Sequence, residues 1–452
     1  MAERAYSSVE TIAAPLSAEQ RGWIDRARSG LDDAWMTELL RRLVDIPSPF
    51  GEERPIAEFL VRTMGDSGLA AELQPVAGQS ANAIGRLATG ANAGPSLLMF
   101  APLDSPFTGR AEDEVPWVGD TLPPHMVPKA IVRDGTVTGL SADNPKAHIT
   151  AAIAAAAAVG RAGTQLAGPV TLAFGAGGAP ANKRPDQDRT DVGHGLGCRY
   201  MLSHGVGGDF AVICKPGYAV AWEEVGLTWF RIRVRGVQTY VGRRHFLAYH
   251  SPIVDAAAVV ARLEQWFPEY SVRHTDGLCA PQGAVGAIQG GWTYKPAFVP
   301  AVCDIYVDMR ISPRMTAAQA RRELEQALEA MRADIPGLQY DVETLVAVEG
   351  PATDPRNWIV QSCIRAWEDV ERRPHRPFLN TSGQTEAVIL RAHGIPTARI
   401  GLPAAMGQTA EKPRHSMGEV AIADVRKLAE CLIYAIVDTC TRNREEVGAA
   451  RH

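Results

Sequence analysis

Three short apolar runs set the frame for this chain: residues 96–101 (SLLMFA), 170–174 (VTLAF) and 210–214 (FAVIC). Each is too short for a buried helix and is flanked by glycine and proline, so each reads as a buried strand. Between the first two lies a helical stretch, 146–159, rich in alanine. Its apolar core, 151–159, is too short to cross a bilayer and reads as a buried helix. Upstream, the first 45 residues read as helical, with 34–44 (AWMTELLRRLV) at clear helical spacing. Ser48-Pro49 breaks that pattern and 56–64 resumes it. Short apolar strands alternating with helices imply an α/β domain with a largely parallel sheet, whose ligands sit beyond the carboxyl ends of the strands.

The texture then changes. Residues 229–235 (WFRIRVR) alternate with period two, the mark of a strand with one wet face. A helix at 254–266, a strand at 302–311, a helix at 316–333 and a strand at 340–348 follow. After Pro351 the α/β pattern returns: helix 358–370, strand 397–401 and helix 422–440. The economical reading is a discontinuous α/β domain, residues 1–225 and 346–452, interrupted by an inserted α+β domain at 226–345.

Composition excludes several function classes. The 452 residues carry 46 Lys and Arg against 51 Asp and Glu, a net charge of −5. That argues against a nucleic-acid partner or an anionic membrane surface. Seven scattered cysteines without a CxxC pair argue against a disulfide framework and for a reducing compartment. The first residues lack a basic start followed by an apolar stretch, so the expectation is a cytoplasmic protein.

Four stretches carry chemistry. The first is 98–106 (LMFAPLDSP), which ends a strand at Pro102 and Asp104. The second is 134–147 (DGTVTGLSADNPKA), and the third is Asp308-Met309-Arg310 followed by Pro313. The fourth joins Gly383-Gln384-Thr385-Glu386, Gly394-Ile395-Pro396 and 415–419 (HSMGE). In this order they resemble the zinc aminoacylase, acetylornithine deacetylase and carboxypeptidase G family of co-catalytic metallohydrolases, over about 39–441. The resemblance implies a zinc-peptidase-like α/β domain with an inserted α+β lid and dimerisation domain. It also implies a small-molecule substrate and a homodimer formed through the insert.

The departures from that family fall on its metal ligands. Pro102 stands where the first histidine is expected, while Asp104 is retained. The bridging aspartate falls on Asn144, or on Asp143 if Pro145 is an insertion. The Glu-Glu pair falls on Gly177-Gly178, and the acid of a Glu-Pro pair falls on Lys215. His415 matches a ligand position, and the lid's active-site histidine falls on Tyr240, with His245 and His250 nearby. A dinuclear centre carries about four positive charges and needs several anions. The expectation is therefore no metal, or at most one weakly held ion, with Lys215 in the metal's place and salt-bridged to Asp104 and Asp143.

Asp104, Lys215 and His415 are the expected catalytic residues. Asp143, Asn144, Lys146, Tyr240, Arg310, Gly383 and Thr385 are the expected substrate contacts. Each has a structural reading beside it: Lys215 as a surface lysine, Asp104 as a cap, Arg310 as a strand arginine, and the Thr381–Thr385 turn as a plain turn. Lys146 and His148 open the alanine-rich helix, where they suit an anion. Cys214, beside Lys215, alternates to the opposite face of its strand and reads as a buried small hydrophobe rather than a nucleophile partnered by Glu223 or Glu224. The expected activity is amidohydrolase-like, on a small N-acyl, ureido or peptide-like carboxylate. A non-catalytic binding protein and a metal-independent lyase, isomerase or acyl-transfer enzyme are the alternatives on the same scaffold.

Overall fold

A computed structural model describes residues 9–88, 90, 93–184, 187–188, 193–402 and 418–449. The chain divides into two compact units. One comprises Ser7–Trp222, Thr353–Pro377 and Thr385–His452, and the other Glu223–Ala352 with Phe378–Gln384.

The larger unit is built on a six-stranded sheet. Its strands are β1 (Ala70–Ala77), β2 (Ser80–Leu87), β3 (Leu97–Pro102), β6 (Val170–Gly175), β7 (Phe210–Cys214) and β14 (Thr397–Ile400). A small separate sheet holds β4 (Ile131–Arg133), β5 (Thr136–Thr138) and β15 (Glu419–Ala421). The main sheet runs in the order β1-β2-β6-β3-β7-β14. From β6 to β14 every pairing is parallel, whereas β1 and β2 form an antiparallel hairpin on one edge. The sheet is thus mixed. The hairpin escaped the sequence reading because 70–87 is neither continuously apolar nor cleanly alternating.

Helices cover this sheet. Every residue of the alanine-rich helix His148–Arg161 up to Val159 is buried. A helix apolar all round has to be enclosed on every side. It packs against the closing helix Ile422–Cys440, which in turn packs on Trp358–Glu371. The turn before it, Ala142–Ala147, is irregular, with Asn144 in an extended conformation.

The smaller unit is a four-stranded antiparallel sheet, β10-β12-β8-β13: β8 (Gly226–Arg235), β10 (Gly283–Gly290), β12 (Val302–Ile311) and β13 (Gln339–Val348). A two-stranded pair, β9 (Thr239–Tyr240) and β11 (Phe298–Val299), completes it. The helices Pro252–His274 and Ala317–Arg332 bury one face of the sheet. Phe230, Ile232 and Val234 of β8 meet Cys303, Ile305, Val307 and Met309 of β12 in that core. The other face carries cross-strand pairs: Arg233 with Asp304 at 2.7 Å, Arg235 with Asp341 and Arg231 with Glu343. Exposed pairs of this kind contribute little, about 0–1 kcal/mol each. Full burial of an aliphatic or aromatic side chain contributes about 1.5–3 kcal/mol, so the alternation is held by its inward face. No helix of the described residues is long and apolar enough to cross a membrane.

Candidate functional site

The carboxyl ends of β3, β6 and β7 bring the site together within the larger unit. After β3 the chain passes Leu103, whose amide donates to the Gly175 carbonyl at the end of β6. Asp104 follows, almost wholly buried. One carboxylate oxygen accepts the Gly178 amide and the other the Ala179 amide, both at 2.6 Å. The two preceding amides are held in the same manner: Ala176 donates to Asn82 and Gly177 to Glu53, each at 2.9 Å. Residues 176–179 (AGGA) thus form a run of N–H groups gripped by side-chain oxygens. Backbone amides that converge on a carboxylate hold it as they would a bound anion.

Glu53 is fully buried and also accepts the Gly51 amide and the Ser80 hydroxyl, each at 2.8 Å. Burial, and next the charge of Asp104, push its carboxyl up to about 7. Burial pushes Asp104 up as well, opposed by the Ala179 amide, the charge of Lys215 and the Gly178 amide. With two short amide bonds and a nearby ammonium, Asp104 is the member of the pair that carries the charge.

Lys215 follows β7, with 13% of its side chain exposed, and its ammonium lies 4.0 Å from a carboxylate oxygen of Glu386. The expected salt bridge from Lys215 to Asp104 is corrected here: among the described residues the ion pair is with Glu386, and Asp104 feels Lys215 only as a nearby charge. The reason is steric and electronic. Both oxygens of Asp104 are taken by amides, whereas Glu386 enters at the start of helix Ala387–Ala392 with its carboxylate buried.

Glycine makes this convergence possible. A Cβ on Gly178 would lie 2.1 Å from Glu386 Oε1, 2.4 Å from Pro102 Cβ and 3.0 Å from Asp104 Oδ1. Gly178, Pro102, Asp104 and Glu386 therefore share one small volume. His148 is fully buried nearby, and its Nδ1 lies 2.9 Å from the Asp143 carbonyl. Burial, and next the charge of Lys215, push the imidazole down to about 3, so the ring stays neutral.

The remaining expected residues are placed as follows. Asp143 is half-buried and Asn144 is buried, both in the irregular turn before the alanine-rich helix. Lys146 is fully buried, and its ammonium donates to the Ile46 carbonyl at 3.1 Å. Thr385 is buried, with its hydroxyl accepting the Ala387 amide at 3.2 Å. Arg310, Tyr240 and Gly383 belong to the smaller unit. Arg310 forks onto Asp308 of its own strand at 2.8 and 2.9 Å. Tyr240 is half-exposed, with its ring 5.3 Å from that of Phe298. Gly383 is exposed, beside Ser382, which accepts the Gln282 amide. His250 pairs with Asp255 at 2.7 Å. Glu223 is bound by the Leu278 amide and Arg314, so it does not join a set with Lys215 and Cys214. Burial pushes the Cys214 thiol up to about 12, far from a reactive thiolate. His415 lies outside the described residues.

Glu53 and Glu386 escaped the sequence reading as site residues. Glu386 stood within the GQTE motif but at a helix start, where acidic residues are ordinary. Glu53 sits in a charged loop (GEERP) that carries no sign of burial.

A family model described as a peptidase dimerisation domain matches residues 223–335, within the smaller unit. Among solved structures, a dipeptidase from Saccharomyces cerevisiae, Dug1p, is 11% identical over 94% of this chain and 100% of its own, with a TM-score of 0.69. An amidase of the hydantoinase/carbamoylase family from Burkholderia multivorans is 13% identical over 91% of this chain and 99% of its own, with a TM-score of 0.60. A dinuclear metal binding peptidase of the M20 family from Bacillus subtilis is 14% identical over 91% and 99%, with a TM-score of 0.59. The fold is that of the M20-type peptidases and amidases, as the four motifs imply. Among the described residues no three His, Cys, Asp or Glu side chains gather to hold a metal, the oxygens of Asp104 accept amides, and the ammonium of Lys215 lies 4.0 Å from Glu386.

Proposed function

We propose that this protein hydrolyses a C–N amide bond in a small N-acyl, ureido or peptide-like carboxylate, and that it does so without the dinuclear metal centre of its fold relatives. The observation that carries the reading is Lys215. Its ammonium stands at the carboxyl end of β7, beside Asp104 and Glu386, where this class of sheet places its ligands. A fixed cation in a buried site stabilises the oxyanion that forms when an amide carbonyl is attacked, and such stabilisation is worth about 10²–10³ in rate. Asp104 shapes the 176–179 backbone around that charge. His415 remains the proton carrier that the HSMGE motif implies. The dimerisation-domain match supports a homodimer through the smaller unit, and seven buried cysteines without a CxxC pair support a cytoplasmic location.

The test pairs metal analysis by mass spectrometry with hydrolysis assays on N-acetyl and N-carbamoyl amino acids, with and without chelator. The expected result is turnover that survives chelation and falls about 10²–10³-fold in Lys215→Ala. Zinc or manganese bound in stoichiometric amounts, with activity lost on chelation, refutes the metal-independent reading.

A further inference from the structure

We propose that Nε2 of His148 accepts a hydrogen bond from an N–H of the substrate, so that the site takes amides and ureides and rejects the matching esters; the assignment rests on the hydrolytic reading above. Three observations carry it. First, the tautomer is fixed by a neighbour. Nδ1 of His148 lies 2.9 Å from the Asp143 carbonyl, and a carbonyl oxygen only accepts, so Nδ1 carries the proton. Nε2 is left with a lone pair. The positive charge of Lys215 opposes a second proton on the ring.

Second, that lone pair has no partner in the fold. The His148 side chain is fully buried, and Nε2 meets no hydrogen-bond donor. A Cβ on Gly401 would lie 2.8 Å from Nε2 and 1.9 Å from the Lys215 carbonyl oxygen, so glycine at 401 lets the ring nitrogen and the Lys215 main chain come this close. The Gly401 amide is itself given to the Gly217 carbonyl at 2.8 Å. A buried acceptor without a donor is costly, and at a functional site it marks the place of a ligand's donor.

Third, the neighbouring side chain is a cation. Lys215 follows β7 and Gly401 follows β14, the strand paired beside it, so the ammonium and the imidazole belong to one corner of the sheet. Lys215 offers donors and His148 offers an acceptor, which matches the two poles of an amide: the carbonyl oxygen toward the ammonium and the N–H toward Nε2. An ester keeps the carbonyl but sets an oxygen lone pair against Nε2. The start of the alanine-rich helix suits an anion by position, yet the bare nitrogen there repels one.

The experiment uses the full chain and three probes: N-acetylglycine, N-carbamoylglycine and acetoxyacetate, the ester that lacks the N–H. Binding is followed through the ¹⁵N resonances of the labelled histidine rings, with His148 assigned from its variants, and turnover of each probe is assayed in parallel. N-acetylglycine and N-carbamoylglycine are expected to move Nε2 of His148 to lower frequency, and a response to one of them alone names the class that the site takes. Acetoxyacetate is expected to leave it unmoved. His148→Phe, folded by circular dichroism, is expected to lose about 10–100-fold in affinity for the N–H probes and nothing for the ester. His148→Gln, whose side-chain carbonyl accepts, is expected to recover part of that loss. Equal losses for all three probes would show a merely structural role and overturn the assignment. Where His148→Phe does not fold, the wild type decides: affinity for acetoxyacetate equal to that for both N–H probes overturns the assignment. Turnover of an N–H probe with an unmoved Nε2 overturns it while leaving the hydrolytic reading intact. An Nε2 that responds in a protein that turns over no probe sinks the hydrolytic reading and upholds the acceptor role, and a protein that neither binds nor turns over any probe overturns both.

Discussion

Lys146 offers the sharpest physical test of this structure. Its ammonium is fully buried, and its hydrogen bond is to the Ile46 carbonyl. Burial pushes the amine down from 10.5 to about 7. Between those two values the unfolded chain binds a proton that the folded chain has released. Raising the pH through this window therefore stabilises the native state. Each unit of difference corresponds to 1.36 kcal/mol, so the full penalty at low pH is about 5 kcal/mol, of which about 2 kcal/mol is relieved between pH 7 and pH 9. Lys146→Met keeps the length of the side chain and removes the amine. It leaves the Ile46 carbonyl without its donor, at a cost of about 1–3 kcal/mol that does not vary with pH. Urea unfolding of both proteins by circular dichroism at pH 7 and pH 9 gives the comparison. The wild type should gain about 2 kcal/mol more than the variant over that interval. Parallel pH dependences in the two proteins would refute the argument that burial depresses the Lys146 amine.

Gly178→Ala is expected to destabilise the protein by about 1–3 kcal/mol, because the added methyl meets Glu386 and Pro102 inside contact distance; urea unfolding measures it, and an unchanged midpoint would contradict the packing described. Glu53→Gln tests the opposite sign of linkage. The folded carboxyl at about 7 and the unfolded one at 4.5 mean that wild-type stability falls by about 3 kcal/mol as pH rises across that range. The glutamine variant should lack the fall, and a wild-type profile in Glu53→Gln would show that the proton resides elsewhere.

Much of the architecture was readable before any coordinates. The strands at 210–214 and 302–311 and the helix at 422–440 lie where hydrophobic period placed them, as Phe210–Cys214, Val302–Ile311 and Ile422–Cys440. Long-period signals of this kind come from burial on one or both faces, which the residue pattern states directly. Elements without such a pattern were missed. The β1–β2 hairpin has an outer strand that is half-wet along its length, and β10 is mostly exposed. The helix read as 254–266 runs on to His274, through Pro268.

Pro102, Gly177, Gly178 and Lys215 were likewise legible in linear order as departures from the pattern of the family that the chain resembles. Which charge balances Lys215 was not. Order along the chain pointed to Asp104, yet that carboxylate is consumed by two amides that only the close return of 176–179 brings to it. Glu386 lies 171 positions beyond Lys215 by its number and reaches it through parallel pairing of β14 with β7. Periodicity and residue identity report whether a side chain is buried, since burial depends on local pattern. Pairing among buried charges depends on distances of a few ångströms between distant segments, because Coulomb and hydrogen-bond energies fall steeply with separation and desolvation. Only the folded chain sets those distances.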